Sequence, residues 1–145
     1  MTTALVVDDE ADARAFVRAV LESDGWEVAE AADGEEALQQ ARTLNPFVMI
    51  LDVSMPRKNG LAVFRELMSY PDTCRIKVIM LTGVAEKFNM PLSPKDMEHF
   101  LGKSPAGFME KPIEPARLLR LVRRVTGTDL DESTAGQSTD ARPGR

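Results

Sequence analysis

Five polar residues stand where short apolar runs break off. Asp8 and Asp9 follow Ala4–Val7, Asp52 follows Phe47–Leu51, Thr82 follows Lys77–Leu81, and Lys111 comes close behind Gly107–Met109. If these runs end at one edge, three carboxylates, a hydroxyl and an ammonium share one mouth. Carboxylates packed together repel one another unless a cation neutralises them. All-oxygen ligation by a few protein groups suits Mg²⁺. One carboxylate could then attack phosphorus and form an aspartyl phosphate. The Lys111 ammonium would supply a point charge to the phosphoryl oxygens and Thr82 a hydroxyl hydrogen bond, both stabilising charge on the group in transfer.

Each residue also has an ordinary structural reading. Asp8-Asp9-Glu10 could simply favour the start of a helix, where acidic side chains are welcome. The acidic pocket becomes the better reading once Asp52 is set beside them. Alone, Asp52 would be a turn residue before Met55-Pro56, Thr82 a strand-end hydroxyl bonded to backbone, and Lys111 a surface lysine. His99, the only histidine, reads as a helix-surface residue, and Cys74, the only cysteine, as a loop thiol. Met49, Met55, Met68, Met80, Met97 and Met109 read as filling of the core or its rim. Arg117, Arg120, Arg123 and Arg124 read as a solvated face of the last helix.

The elements that must position this chemistry follow from the hydrophobic pattern. The four apolar runs above, with a weaker one at Trp26–Ala29, are short and continuous, as strands buried on both faces are. Helical spacing lies between them. Residues 11–23 align Ala13, Phe16, Val17, Val20 and Leu21; residues 35–44 align Ala37, Leu38, Ala41 and Leu44. Residues 61–69 align Leu61, Phe64, Leu67 and Met68, and residues 115–125 align Leu118, Leu119, Leu121, Val122 and Val125. Asp24-Gly25 and Asn45-Pro46 are helix stops. Pro91, Pro94 and Pro105 break up the stretch between Gly83 and Gly107, which predicts a loop over 84–93 and a short helix near Pro94–Leu101. Strand–helix order repeated five times implies an α/β fold, a parallel sheet with helices on both faces. In such sheets ligands bind outside the carboxyl ends of the strands. Thr126–Arg145 holds one large apolar residue, Leu130, and reads as a flexible C-terminal tail after a domain spanning 1–125.

Together the motifs resemble the receiver domain of two-component response regulators, most nearly the single-domain chemotaxis type. They are Val6-Val7-Asp8-Asp9-Glu10, Ile50-Leu51-Asp52-Val53-Ser54-Met55-Pro56, Asn59-Gly60, Met80-Leu81-Thr82-Gly83 and Phe108-Met109-Glu110-Lys111-Pro112, in the family's order and spacing across residues 1–125. The resemblance implies a flavodoxin-like doubly wound sheet of strand order 2-1-3-4-5. It implies Asp52 as phosphoacceptor, Lys111 as the phosphate-contacting base, and Mg²⁺ held by Asp8, Asp9, Asp52 and the backbone carbonyl of Ser54. It makes Thr82 the switch hydroxyl, Phe108 the rotating aromatic, and Lys111-Pro112 a cis bond. A sensor histidine kinase or phosphotransfer protein would donate the phosphoryl group to this cytoplasmic protein. An unidentified downstream protein, or a second copy in a homodimer, would meet the surface formed by the helix near 94–101, the fifth strand and the last helix. The stretch from Thr82 to Lys111 is several residues longer than the family norm. It reads either as an interface adapted to an unusual partner or as a loop expansion, which costs little.

Composition narrows the classes. With 145 residues, 43% hydrophobic and 28% charged, the chain has the size and balance of one globular domain. The longest apolar runs are far too short to cross a membrane. Acidic residues at positions 8–10 argue against a secretory signal, and one cysteine excludes an internal disulfide. A net charge of −5 and a pI near 5.0 argue against direct nucleic-acid binding, and the tail is too short for a helix-turn-helix. Other readings are a phosphorylation-independent interaction module on the same scaffold, or the receiver part of a longer regulator. A haloacid-dehalogenase-like phosphatase needs an Asp-x-Asp pair, and the chain has Asp8-Asp9-Glu10-Ala11 instead.

Overall fold

A computed structural model describes residues 3–55, 58–83 and 105–127. The chain runs β1 (Thr3–Val7), α1 (Ala11–Glu22), β2 (Glu27–Ala31), α2 (Gly34–Leu44), β3 (Val48–Asp52), α3 (Gly60–Met68), β4 (Lys77–Thr82), β5 (Gly107–Glu110) and α4 (Pro115–Thr126). The strands form one sheet in the order β2-β1-β3-β4-β5, with every neighbouring pair parallel. This is the doubly wound, flavodoxin-like sheet that the strand pattern and the motifs imply. The helix expected near Pro94–Leu101, with Met97 and His99, and residues 128–145 of the expected tail lie outside the described residues.

Successive side chains of a strand point to opposite faces, and both faces here are covered. Leu5, Val7, Met49, Leu51, Val78 and Met80 pack with Ala37, Leu38 and Ala41 of α2 and Val63, Phe64 and Leu67 of α3. Ala4, Val6, Val48, Ile50, Ile79 and Leu81 pack on the other face with Val17 and Leu21 of α1 and Leu118 and Val122 of α4. Burying an aliphatic or aromatic side chain of this size contributes about 1.5–3 kcal/mol, so each strand is anchored from both sides.

Helix ends obey local chemistry. Asp33 accepts the Glu36 N–H at 2.8 Å while the Glu36 side chain accepts the Ala32 N–H at 2.8 Å. Asn59 caps α3 through the Ala62 N–H at 3.0 Å. Asn45 closes α2 in the left-handed region, at φ 51°. Pro115 opens α4, where its missing N–H costs nothing, and Thr126 extends that helix one residue beyond the expected end.

Four apolar side chains depart from the pattern's expectation. Phe16 is 44% exposed because it lies one step around α1 beyond Val20, at the margin of the buried stripe. Leu44, on the apolar face of α2, is the helix's last residue and is 39% exposed. Phe47 precedes β3 instead of opening it. Its backbone bonds Thr3 and Lys77, but its exposed ring stacks on Trp26 at 6.4 Å. Trp26, expected inside β2, is buried just before it. Arg123 also departs from the expected solvated face: its guanidinium pairs with both oxygens of Asp24, tying α4 to the end of α1. Arg117, Arg120 and Arg124 are exposed as expected. No helix among the described residues is long and apolar enough to cross a membrane.

Candidate functional site

Strand register brings the polar residues to one edge. Val7 pairs with Leu51, so Asp8 and Asp52 follow at the same level on adjacent strands. Asp52 pairs with Leu81, which places Thr82 one residue further on, and Thr82 pairs with Glu110 just before Lys111. The Lys111 N–H donates to the Thr82 carbonyl at 2.8 Å, and the Lys111-Pro112 bond is cis. Lys111 thus stands one residue past the end of β5, within reach of the other strand ends.

Its ammonium reaches two carboxylates. Lys111 Nζ lies 3.1 Å from Asp52 Oδ1 and 3.3 Å from Asp8 Oδ2. Both aspartates are almost fully buried, at 3% and 2% exposure, whereas Asp9 is exposed. Burial disfavours the Lys111 ammonium. The charge and hydrogen bond of Asp52, then those of Asp8, outweigh that penalty and hold its pKa above the usual lysine value. Asp8 Oδ1 accepts the Glu10 N–H at 3.0 Å. One carboxylate oxygen from each of Asp8, Asp9 and Asp52 lies within 4.8 Å of the others. Among the described residues one ammonium thus faces three carboxylates. That hard, all-oxygen donor set with an excess of negative charge suits a divalent cation such as Mg²⁺.

The remaining expected residues are placed less centrally. Thr82 is buried at the end of β4. Ser54 is exposed, two residues past Asp52. Phe108 is half-buried, opposite Met80, and packs on the α2/α3 face of the sheet. Two contributors escaped the sequence reading. Gly60 at the start of α3 has no room for a Cβ, which would strike the Asp52 carbonyl oxygen. Arg14 of α1 donates to the Asp8 carbonyl at 2.8 Å. Asn59-Gly60 was visible as a motif without a role, and an arginine on an amphipathic helix carries no signal of its own.

Residues 4–123 match the response regulator receiver domain. Protein CcdB of Bacillus subtilis is 33% identical over 128 residues, covering 88% of this chain and 99% of CcdB. PhoP of the same organism, the alkaline phosphatase synthesis transcriptional regulatory protein, is 35% identical over 124 residues, 83% of this chain but 48% of PhoP. The chemotaxis protein CheY4 of Vibrio cholerae superposes with a TM-score of 0.73 at 31% identity, covering 86% of this chain and 98% of CheY4. The chain therefore spans nearly all of two relatives and about half of the third. Fold, site register and sequence agree: the chain belongs to the response regulator receiver family of two-component signalling.

Proposed function

We propose that Asp52 accepts a phosphoryl group from a sensor histidine kinase or phosphotransfer protein in a Mg²⁺-dependent reaction in the cytoplasm. The observation that carries this reading is the buried Asp52 carboxylate, 3.1 Å from the Lys111 ammonium and within 4.8 Å of the Asp8 and Asp9 donors. An Asp52 oxygen attacks phosphorus while the bond from phosphorus to the donor's nitrogen breaks, its electron pair leaving with the imidazole. Lys111 follows the charge from the carboxylate to the phosphoryl oxygens, and the Thr82 hydroxyl donates to one of them. Asp8, Asp9 and Asp52, with the Ser54 carbonyl as a further donor, would hold a divalent cation, which would supply charge neutralisation at those oxygens.

The new charge on Asp52 then acts as a local electrostatic switch. Thr82 is drawn toward the phosphoryl group and Phe108 reorients into the space it leaves. The surface around β5 and α4 changes for a downstream protein. Intact-protein mass after incubation with acetyl phosphate tests the first step. One added phosphoryl group on the wild type with Mg²⁺, and none without Mg²⁺ or on Asp52→Asn, is the expected result. Equal uptake by Asp52→Asn would overturn the assignment.

A further inference from the structure

One arginine ties the acidic loop to α1 and β2. Arg14, in the first turn of α1, donates from Nη1 to the Asp8 carbonyl oxygen at 2.8 Å, and its Nε lies 2.9 Å from Glu30 Oε1 on β2. The other Glu30 oxygen accepts from Arg18 Nη1 at 2.8 Å. The Arg14 and Glu30 side chains are only 17% and 28% exposed, so these contacts are partly sheltered from water.

The Asp8 carbonyl belongs to the peptide unit that joins Asp8 to Asp9. Residues 8–10 lie past the last paired rung of β1, and the Asp8 N–H makes a final bond to the Ala31 carbonyl at 3.2 Å. Holding the next carbonyl fixes the peptide plane, and with it the directions in which both carboxylates leave the backbone. Those carboxylates and Asp52 crowd within 4.8 Å, and like charges at that range push the loop open. Lys111 opposes this through the side chains. Arg14 opposes it through the main chain. Glu30 balances the Arg14 charge, so the clamp orients the loop without adding a net cation to compete in the pocket.

We propose that Arg14, braced by Glu30, is a positioning residue that sets the Asp8–Asp9 peptide for divalent-cation binding. The inference rests on the Mg²⁺ reading of the pocket. Arg18 supplies an internal comparison: it grips the same glutamate, but its described bonds run to Glu22 and Glu30.

The test is a Mn²⁺ titration of the full chain, with free Mn²⁺ counted by electron paramagnetic resonance, Mg²⁺ as competitor, and urea midpoints recorded in parallel. Arg14→Met is expected to weaken Mn²⁺ binding about tenfold, the lower end of what outer-shell partners cost. Arg14→Lys should recover part of the loss, because an ammonium cannot reproduce the forked contact. Arg18→Met should lose stability while keeping wild-type affinity. If Arg14→Met does not fold, Arg14→Gln takes its place with the same expected loss. Wild-type affinity in the variant that removes the guanidinium, or an equal loss in Arg18→Met, would overturn the inference and leave Arg14 as a staple between α1 and β2. A wild type that binds neither Mn²⁺ nor Mg²⁺ would instead overturn the Mg²⁺ reading, and the inference with it.

Discussion

A Cβ on residue 60 would collide with the Asp52 carbonyl oxygen and stand 2.8 Å from the Val53 Cα. The backbone there has little freedom to yield. The Gly60 N–H donates to the Val53 carbonyl at 2.9 Å, and the Val53 N–H donates to Leu81 at 3.0 Å. Gly60→Ala should therefore shift the Asp52 main chain. The expected outcome is a loss of about 1–3 kcal/mol in stability from overpacking and phosphoryl uptake slowed by about a hundredfold, as small misplacements of reacting groups cause. Urea midpoints and a mass time course with acetyl phosphate check both, and uptake at the wild-type rate would show that the contact relaxes elsewhere. Asp8, Asp9, Asp52, Thr82 and Lys111 were legible in the sequence because each interrupts or follows a run that has to be buried. Arg14 and Glu30 were not, and Gly60 was visible only as a motif without a role. What they do depends on an atom of a distant residue, and their types and spacing are ordinary for a helix start, a helix face and a strand.

The same logic holds one level up, among the elements. Strands and helices could be read because apolar runs and 3.6-residue spacing report burial directly. Their edges could not. Phe47 and Trp26 are apolar, yet they stack on each other outside the strands, and only the register of β1 and β3 decides where pairing begins. The junction of α1 and β2 was equally hidden, because it is made of charges. Arg18 first, then Arg14, holds the Glu30 carboxyl below its usual pKa against the opposing effect of burial. A depressed folded-state pKa adds stability that is present above the unfolded-chain value, about 4.3, and is lost as pH falls through the folded value. Glu30→Gln should thus be less stable than wild type near neutral pH, and the gap should close on acidification below about pH 4. Since the pair is partly exposed, the gap should stay under about 1 kcal/mol and shrink in high salt. Urea midpoints across that pH range decide it. A gap independent of pH would mean that shape, not charge, joins the two elements.

For the whole molecule, site and scaffold pull in opposite directions. Core side chains on both faces of the sheet drive the strand ends together, and the strand ends carry three carboxylates to within 4.8 Å. Hydrophobic burial therefore holds a repulsive cluster in place, and Lys111 offsets only part of it. Relieving the repulsion should stabilise the cation-free fold, at the cost of function. Asp9 is the informative position, because it is exposed and the described ion pairs of Lys111 run to Asp8 and Asp52. Asp9→Asn should melt above the wild type in chelator. Mg²⁺ binding to the native state alone adds RT ln(1 + [Mg²⁺]/Kd), about 2.7 kcal/mol at a hundredfold excess over Kd, which for a domain of this size is worth several degrees. Asp9→Asn has lost a donor and gains less, so the order of the two melting temperatures should reverse as Mg²⁺ is added. Thermal melts in chelator and at rising Mg²⁺ would show the crossing. Parallel curves would mean that Asp9 neither strains the pocket nor helps hold the cation, and that Asp8 and Asp52 form the site without it.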